Sequence, residues 1–244
     1  MKRLLLSGVM VLLLATTAMA GKYDIRFLDT LGNDTFEEFV KEAGVVTAYR
    51  GLAPAEPQGI TGFDVGVEVS AIDIQSSVWD EVFTSGDAPD YLAVPRLHVR
   101  KGLPFNLDVG AIYSEIPDSN IKLYGGEVQW ALLEGTMATP ALALRGSYTT
   151  LEGVDDLSLK TYAADAVISK GFAMLTPYAG IGVVQIEGKY DGSDPTLQAE
   201  LKDQDFTETR YFGGVQFSLL LARVTVEAEY LENPVYSMKL SFGW

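Results

Sequence analysis

The chain ends in Y-S-M-K-L-S-F-G-W, residues 236–244, in which bulky apolar side chains alternate with small or polar ones. Successive side chains of a β-strand point to opposite faces, so this stretch predicts a strand with one apolar and one polar face. The apolar face carries Tyr236, Met238, Leu240, Phe242 and Trp244. A strand of a soluble protein would rarely expose a Phe and a Trp at its last residues. We therefore predict that this face contacts an apolar environment around the protein.

Residues 1–20 have the layout of a secretory signal peptide. Lys2 and Arg3 precede an apolar stretch at residues 4–15, and A-M-A at residues 18–20 supplies the small residues that signal peptidase reads. The apolar stretch is too short to span a bilayer, which takes about 20 residues. We therefore predict export, with a mature chain that begins near Gly21.

Cysteine content and charge exclude several function classes. The absence of cysteine excludes thiol catalysis and thiolate metal sites, so an exported fold must be held by a large core or a closed sheet. The net charge of −15 becomes −17 when Lys2 and Arg3 leave with the signal peptide. Such an acidic chain is not expected to bind nucleic acid, and we expect no cofactor.

Ten alternating segments follow one another between residues 61 and 244. They cover residues 61–74, 90–101, 105–115, 120–133, 140–151, 157–170, 175–187, 207–220, 223–231 and 235–244. Each is about as long as a tilted membrane-spanning strand, and short turns alternate with longer connections. The pattern predicts an all-β fold: a closed antiparallel, up-and-down transmembrane barrel of about 10 strands, within a range of 8–12.

Aromatic residues form two belts on the face that we predict to contact lipid. Toward the longer connections lie Tyr91, Tyr113, Tyr124, Tyr148, Tyr162, Tyr211, Tyr230 and Tyr236. Toward the short turns lie Phe63, Phe105, Phe172, Tyr178, Phe217, Phe242 and Trp244. Amphipathic rings settle at the headgroup level of a bilayer, whereas a soluble sandwich has no reason to sort its rings by height.

In the ten segments, the residues that alternate with the lipid-facing ones point to the other face of the sheet, and this second set predicts a charged lumen. It carries Asp64, Glu68, Arg96, His98, Arg100, Asp108, Glu127, Gln129, Arg145, Asp165, Gln185, Glu187, Arg210, Gln216, Glu227, Glu229 and Lys239, with small residues between them. Acids outnumber fixed bases in this set, so each base should be shared between carboxylates. A salt-bridged plug of side chains is favoured over a lining that sets ion selectivity.

Residues 21–60 do not follow the alternation. Asn33-Asp34-Thr35 before F-E-E-F-V-K-E-A predicts a short helix whose first amides are capped by a small polar side chain. G-L-A-P-A-E-P-Q-G, residues 51–59, predicts a connector. We place the segment at the periplasmic mouth or in the lumen of a barrel formed by residues 61–244. Residues 23–28 and 45–49 are alternative strands.

The ending Phe242-Gly243-Trp244 resembles the C-terminal signal by which the barrel assembly machinery recognises outer-membrane proteins. The resemblance implies a Gram-negative outer-membrane β-barrel, assembled by that machinery and surrounded by outer-membrane lipid. It brings no catalytic residue with it. Counting strands back from this end predicts short turns in the periplasm and long loops outside the cell.

Two candidate sites have weaker support. His98, the single histidine, has the chemistry of a general base, but its predicted height near the turn at residues 101–104 is wrong for hydrolases that act at the outer rim. A histidine in a polar lumen network is the favoured interpretation. Hard cations favour oxygen donors such as Asp191, Asp194, Asp203 and Asp205, but the spacing of these residues matches no dedicated metal-binding loop.

These patterns favour a non-enzymatic outer-membrane barrel with a structural or surface-interaction role and a largely plugged lumen. The first alternative is a narrow channel or transporter for small solutes or hydrophobic ligands, gated by the predicted helix. The second is a surface hydrolase that depends on His98.

Deleting Phe242-Gly243-Trp244 should slow membrane assembly, because the deletion removes the apolar end of the predicted signal. We expect the variant to accumulate in the periplasm, as measured by cell fractionation and by heat-modifiable migration on gels. Normal amounts of heat-modifiable barrel in the outer membrane would show that these residues are no assembly signal.

Overall fold

A computed structural model describes residue 25 and residues 32–74, 76–82, 89–116, 121–154 and 156–244. The predicted signal peptide and most of the alternative strand at residues 23–28 lie outside these residues. Ten strands form a closed antiparallel barrel. They are β1 (Phe63–Asp73), β2 (Tyr91–Leu103), β3 (Leu107–Glu115), β4 (Lys122–Leu133), β5 (Ala141–Glu152), β6 (Leu157–Ser169), β7 (Leu175–Tyr190), β8 (Gln204–Leu219), β9 (Ala222–Leu231) and β10 (Asn233–Gly243).

The first and last strands close the barrel. β1 pairs with β10 from Asp64↔Gly243 to Ile72↔Val235, and every other strand pairs with its neighbours in sequence. The backbones of Phe63 and Trp244 exchange two hydrogen bonds of 3.1 Å, and their ring centroids lie 4.2 Å apart. The prediction of a closed ten-stranded antiparallel barrel is confirmed, and the C-terminal stretch is its closing strand.

Two ends of the barrel can be distinguished by the length of their connections. The short-turn end carries the connections β2–β3, β4–β5, β6–β7 and β8–β9, and the long-loop end carries the others together with the β9–β10 turn. The loops of the long-loop end contain α2 (Ser76–Val82) and α3 (Pro195–Glu200). Neither helix was expected from the alternation pattern.

The outer surface of the barrel is apolar. Leu97, Val128 and Ile181 each leave about half of their surface exposed, and so do the belt residues Tyr211 and Tyr230. A soluble protein would bury such side chains in its interior. The polar residues instead lie inside, so the distribution of polarity is inverted relative to a soluble fold.

One belt residue is misplaced by the sequence prediction. Tyr178 is buried in the lumen, where its hydroxyl donates to Glu227 Oε2 at 2.7 Å. The inward parity of β7 consists of the even-numbered residues, so Val184 and Ile186 are buried. Gln185 and Glu187 therefore lie on the outer face, and their predicted inward orientation is wrong. The reason is the apolar helix inside the barrel, which makes the inner face of β7 apolar.

That helix is α1 (Asn33–Thr47), and it replaces the alternative strand at residues 45–49 up to Thr47. The predicted side-chain cap is absent: the cap residue is Gly32, which makes no side-chain bond to the helix. The Asn33 side chain instead accepts a hydrogen bond of 2.9 Å from the backbone amide of Lys202 in a long loop. Among the described residues, no helix is long and apolar enough to cross a bilayer.

Candidate functional site in the lumen

Residues 33–58, which we call the plug, lie inside the barrel. The buried face of α1, with Phe36, Phe39 and Val40, packs against wall residues that include Leu159 and Ile186 near the long-loop end. Among the described residues of the predicted segment 21–60, residues 33–58 lie in the lumen, whereas Gly59 and Ile60 are exposed. Its helix is at the long-loop end, opposite the short-turn mouth. The remainder of the plug runs down the lumen to β1.

Polar contacts fasten α1 to the rim of the long-loop end. Lys41 Nζ lies 2.8 Å from Glu232 Oε1 and 3.4 Å from Glu208 Oε1. The hydrogen bond to Glu232 raises the pKa of Lys41, with the charge of Glu208 acting in the same direction. The Asn33 bond to Lys202 adds a contact with the loop between β7 and β8. The helix thereby connects several strands and one long loop.

In the last turn of α1 and below it, wall arginines donate hydrogen bonds to backbone carbonyls of the plug. The three bonds run from Arg96 to Val46 (2.7 Å), from Arg210 to Tyr49 (2.6 Å) and from Arg145 to Ala53 (3.0 Å). Irregular backbone is tolerated at membrane depth only where protein or water satisfies its polar groups. These arginines supply hydrogen-bond donors to the plug carbonyls.

The lower part of the plug is held through its amides. The Ala55 amide donates to Ser169 Oγ at 3.0 Å, and the Gln58 amide donates to Asp108 Oδ1 at 3.1 Å. Lys101 Nζ then donates to the Gly62 carbonyl at 3.0 Å, where the chain enters β1. The plug is therefore bonded to the wall along the full depth of the lumen.

The first group of buried charges combines wall and plug. Arg50, a plug residue with 1% exposure, lies 2.9 Å from Glu229 Oε1. Arg210 contacts Asp165 through two hydrogen bonds, one of them 3.1 Å from Nε, and lies 3.6 Å from Glu229 Oε2. The two arginines thus share Glu229, and Arg210 is shared between two carboxylates.

The second group lies on β2 to β5. Arg100 lies 3.1 Å from Asp108 Oδ2 and 2.9 Å from Glu127 Oε1. Arg145 lies 3.4 Å from Glu127 Oε2 and donates to Gln129 Oε1 at 2.7 Å. Every member of this group is buried, which makes the loss of a single partner costly.

The third group contains the histidine. Glu68 lies 3.3 Å from Arg96 and 3.0 Å from His98 Nδ1, and the other ring nitrogen of His98 is hydrogen-bonded to the Tyr49 hydroxyl at 3.1 Å. Through these two contacts the imidazole links the wall to the plug. Because His98 is fully buried, it is not accessible as a general base.

The fourth group lies near the short-turn end. Asp64 is shared by Lys239 at 3.2 Å and Arg223 at 3.1 Å, and it accepts from Ser241 Oγ at 2.7 Å. A polar cavity of about 220 Å³ adjoins this group, bounded above by plug residues such as Pro54. It is large enough for several waters.

The structure places all thirteen predicted lumen-network residues in buried positions. They are Asp64, Glu68, Arg96, His98, Arg100, Asp108, Glu127, Arg145, Asp165, Arg210, Glu227, Glu229 and Lys239. The expectation that each base is shared between carboxylates is wrong for Arg96, Arg145 and Lys239, each of which contacts one acid. Arg100 and Arg210 each contact two acids. Sharing is commoner among the carboxylates, since four of them each contact two basic side chains: Asp64, Glu68, Glu127 and Glu229.

Sequence reasoning missed Arg50, Tyr49 and Arg223. A signal for Arg50 was present, since the predicted lumen held more acids than bases, and Arg50 is a lone base in the otherwise small and apolar stretch T-A-Y-R-G-L-A. Arg223 is the second residue of β9, next to the turn, where alternation gives no reliable face.

The acidic residues of the long loop have separate partners. Asp191 lies 3.6 Å from Lys189, and Asp205 lies 3.3 Å from Gln185. Asp194 caps α3 by accepting from the amides of Leu197 and Thr196, and these bonds lower its pKa. Within the described part of the chain, no group of three or more potential ligands, Asp203 included, is arranged to hold a metal ion.

Comparisons with known proteins return distant structural similarity. No family model and no curated protein matches the sequence. The N-terminal β-barrel domain of OprF from Pseudomonas aeruginosa is 13% identical and has a TM-score of 0.37, with 76% of this chain and 99% of that chain covered. Ail, the attachment invasion locus protein of Yersinia pestis, was crystallised with the heparin analogue sucrose octasulfate. It is 13% identical and has a TM-score of 0.29, with 75% of this chain and 95% of that chain covered.

Neisserial surface protein A is 12% identical, with a TM-score of 0.30 and coverage of 74% and 94%. These values are too low to carry an argument about this chain. Its fold rests on its own strand pairing.

Replacing Arg210 by Ala should destabilise the folded barrel strongly. The change strands Asp165, leaves Glu229 with Arg50 alone and removes the donor to the Tyr49 carbonyl. Breaking a buried pair in this way costs about 3–5 kcal/mol, less where lumen water reaches the stranded charge. The measurement is the temperature at which heat-modifiable migration is lost.

Arg223→Ala on the neighbouring strand is the matched control. Arg223 is partly exposed and shares Asp64 with Lys239, so its loss should cost about 1 kcal/mol or less. Low pH should partly restore Arg210→Ala, because protonation removes the stranded negative charge. Equal melting of both variants and wild type would mean that the lumen is wet.

Proposed function

We propose that this protein is an outer-membrane β-barrel whose lumen is closed by its own N-terminal segment, and that it acts as a non-conducting scaffold for its long loops. The observation that carries the proposal is the plug. Its backbone is hydrogen-bonded to buried wall residues from Val46 to Gln58, beside ion pairs that include Arg50–Glu229. No loosely held segment would need so many buried partners.

The membrane location is supported by the inverted polarity of the barrel. Its outer face exposes aliphatic side chains between two groups of aromatic rings, while its charges are buried inside. Only helices and closed barrels satisfy all of their backbone groups in hydrocarbon. We also propose that the short-turn end faces the periplasm, after cleavage near Gly21 and assembly through the C-terminal signal.

The scaffold role is supported by the position of α1. The helix contacts the rim through Lys41 and the loop between β7 and β8 through Asn33, so it braces the long-loop end from inside. Loops whose ends are held in place at the barrel rim suit an interaction with a partner outside the cell. That loop is acidic, with Asp191, Asp203 and Glu200 among its residues, which favours a basic partner surface.

The two other candidate functions have less support. A channel would need a continuous path, whereas the polar cavity at the short-turn end is bounded by the plug. A hydrolase would need an accessible base, whereas His98 is enclosed between Tyr49 and Glu68.

Planar-bilayer recording of the purified full chain tests the proposal. Wild-type protein should give no stable conductance steps, because the plug spans the lumen. Deleting residues 33–57 should produce steps, whereas deleting residues 195–200, which form α3 outside the lumen, should not. Large and stable conductance from the wild-type protein would contradict the proposal and favour the channel, whether or not the plug deletion folds.

A further inference from the structure

The plug begins at the long-loop end of the barrel. Its first residue, Asn33, accepts a hydrogen bond of 2.9 Å from the amide of Lys202 in the loop between β7 and β8. Ile25, eight residues earlier in the chain, packs against the apolar cluster around α1 at the same end. The start of α1 therefore lies at the end of the barrel that carries the long loops.

The plug finishes at the opposite end and turns directly into β1. The Gln58 amide donates to Asp108 Oδ1 at 3.1 Å, and Asp108 is the second residue of β3, next to a short turn. Gly59 has a φ of +73°, a left-handed conformation that glycine adopts without strain, and the Gly62 amide donates to the Gly59 carbonyl at 3.0 Å. The plug and β1 thus form one hairpin that reverses at the short-turn end.

The plug is long enough to cross a membrane. The 15 residues of α1 measure about 22 Å along the helix axis. Residues 48–58, which have no regular secondary structure, can extend over about 36 Å more. The hydrocarbon core of a bilayer is about 30 Å thick. The two ends of the plug can therefore lie on opposite sides of the membrane.

The start of α1 has one face in water. Asp34, Glu37 and Glu38 are exposed, whereas Phe36 and Phe39 between and beside them are buried against the wall. Acidic side chains are seldom buried unless they are paired, so this pattern fits a helix whose first turns lie at an open mouth. The exposed acids adjoin the acidic loop between β7 and β8.

We propose that this barrel carries the N-terminal part of its own plug across the outer membrane and displays the start of α1 on the cell surface. The proposal rests on the orientation given above, with the short-turn end in the periplasm. A chain exported with a cleaved signal peptide enters the periplasm first, so Asn33 has to cross the bilayer to reach the long-loop end. The turn at residues 59–62 lets the plug cross together with β1 as a hairpin. The displayed acids then belong to the surface that faces a basic partner.

Single cysteines in the full chain test the display, because the natural sequence has none. Asp34→Cys and Glu38→Cys report on the exposed face of α1, Ala199→Cys on the loop between β7 and β8, and Met137→Cys on a fully exposed short-turn tip. The reagent is a maleimide on a polyethylene glycol chain too large to pass the outer membrane. It is added to intact cells, to cells with a permeabilised outer membrane, and to purified protein whose folding is confirmed by heat-modifiable migration.

We expect Asp34→Cys, Glu38→Cys and Ala199→Cys to be labelled equally in intact and permeabilised cells, and Met137→Cys to be labelled only after permeabilisation. Labelling of Ala199→Cys without either α1 variant on intact cells would overturn the display and leave the proposed orientation standing. Failure of both α1 variants to react in the purified folded protein would overturn it as well. Labelling of Met137→Cys in place of Ala199→Cys on intact cells would reverse the orientation itself and reject both.

Discussion

Peptide groups that leave regular secondary structure inside the barrel must find partners there, and the arrangement of the lumen depends on this constraint. The plug below α1 is irregular, and wall side chains form hydrogen bonds with its carbonyls and amides at Tyr49, Ala53, Ala55 and Gln58. Arg96, Arg210 and Arg145 each combine a bond to plug backbone with a bond to a wall carboxylate. The acids hold the arginines in place, and the arginines hold the plug.

This constraint also explains some of the small residues on the inner face. A Cβ at Gly188 would overlap Val40, and one at Gly125 would lie 2.9 Å from the ring of Tyr49. The sequence pattern presented such glycines as gaps between charged side chains. Gly188 and Gly125 are instead places where the plug approaches the wall, whereas a Cβ at Gly66, Gly110 or Gly214 would meet other wall residues. The plug therefore fills the lumen of this ten-stranded barrel, and the wall residues that it contacts most closely are short.

The strands could be predicted from sequence because a period of two is a local property of the chain. Alternation located all ten strands and placed Asp64, Glu127 and Arg210 on one face. It failed on β7, because Val184 and Ile186 contact an apolar helix whose position no local pattern encodes. Tyr178 was misplaced with them, because it shares their face of β7. The positions of the Arg50 and Asn33 side chains depend on contacts with Glu229 and Lys202, far away in sequence, which alternation does not report.

The most direct measurement of the central claim is a disulfide between plug and wall. The chain has no cysteine, and the Ala55 amide donates to Ser169 Oγ at 3.0 Å, so Ala55→Cys combined with Ser169→Cys probes this contact against a clean background. In folded protein from outer membranes, the two residues should form a disulfide on mild oxidation, identified as a cross-linked peptide by mass spectrometry. If both thiols instead react freely with a water-soluble maleimide and no cross-link forms, the plug does not occupy the lumen.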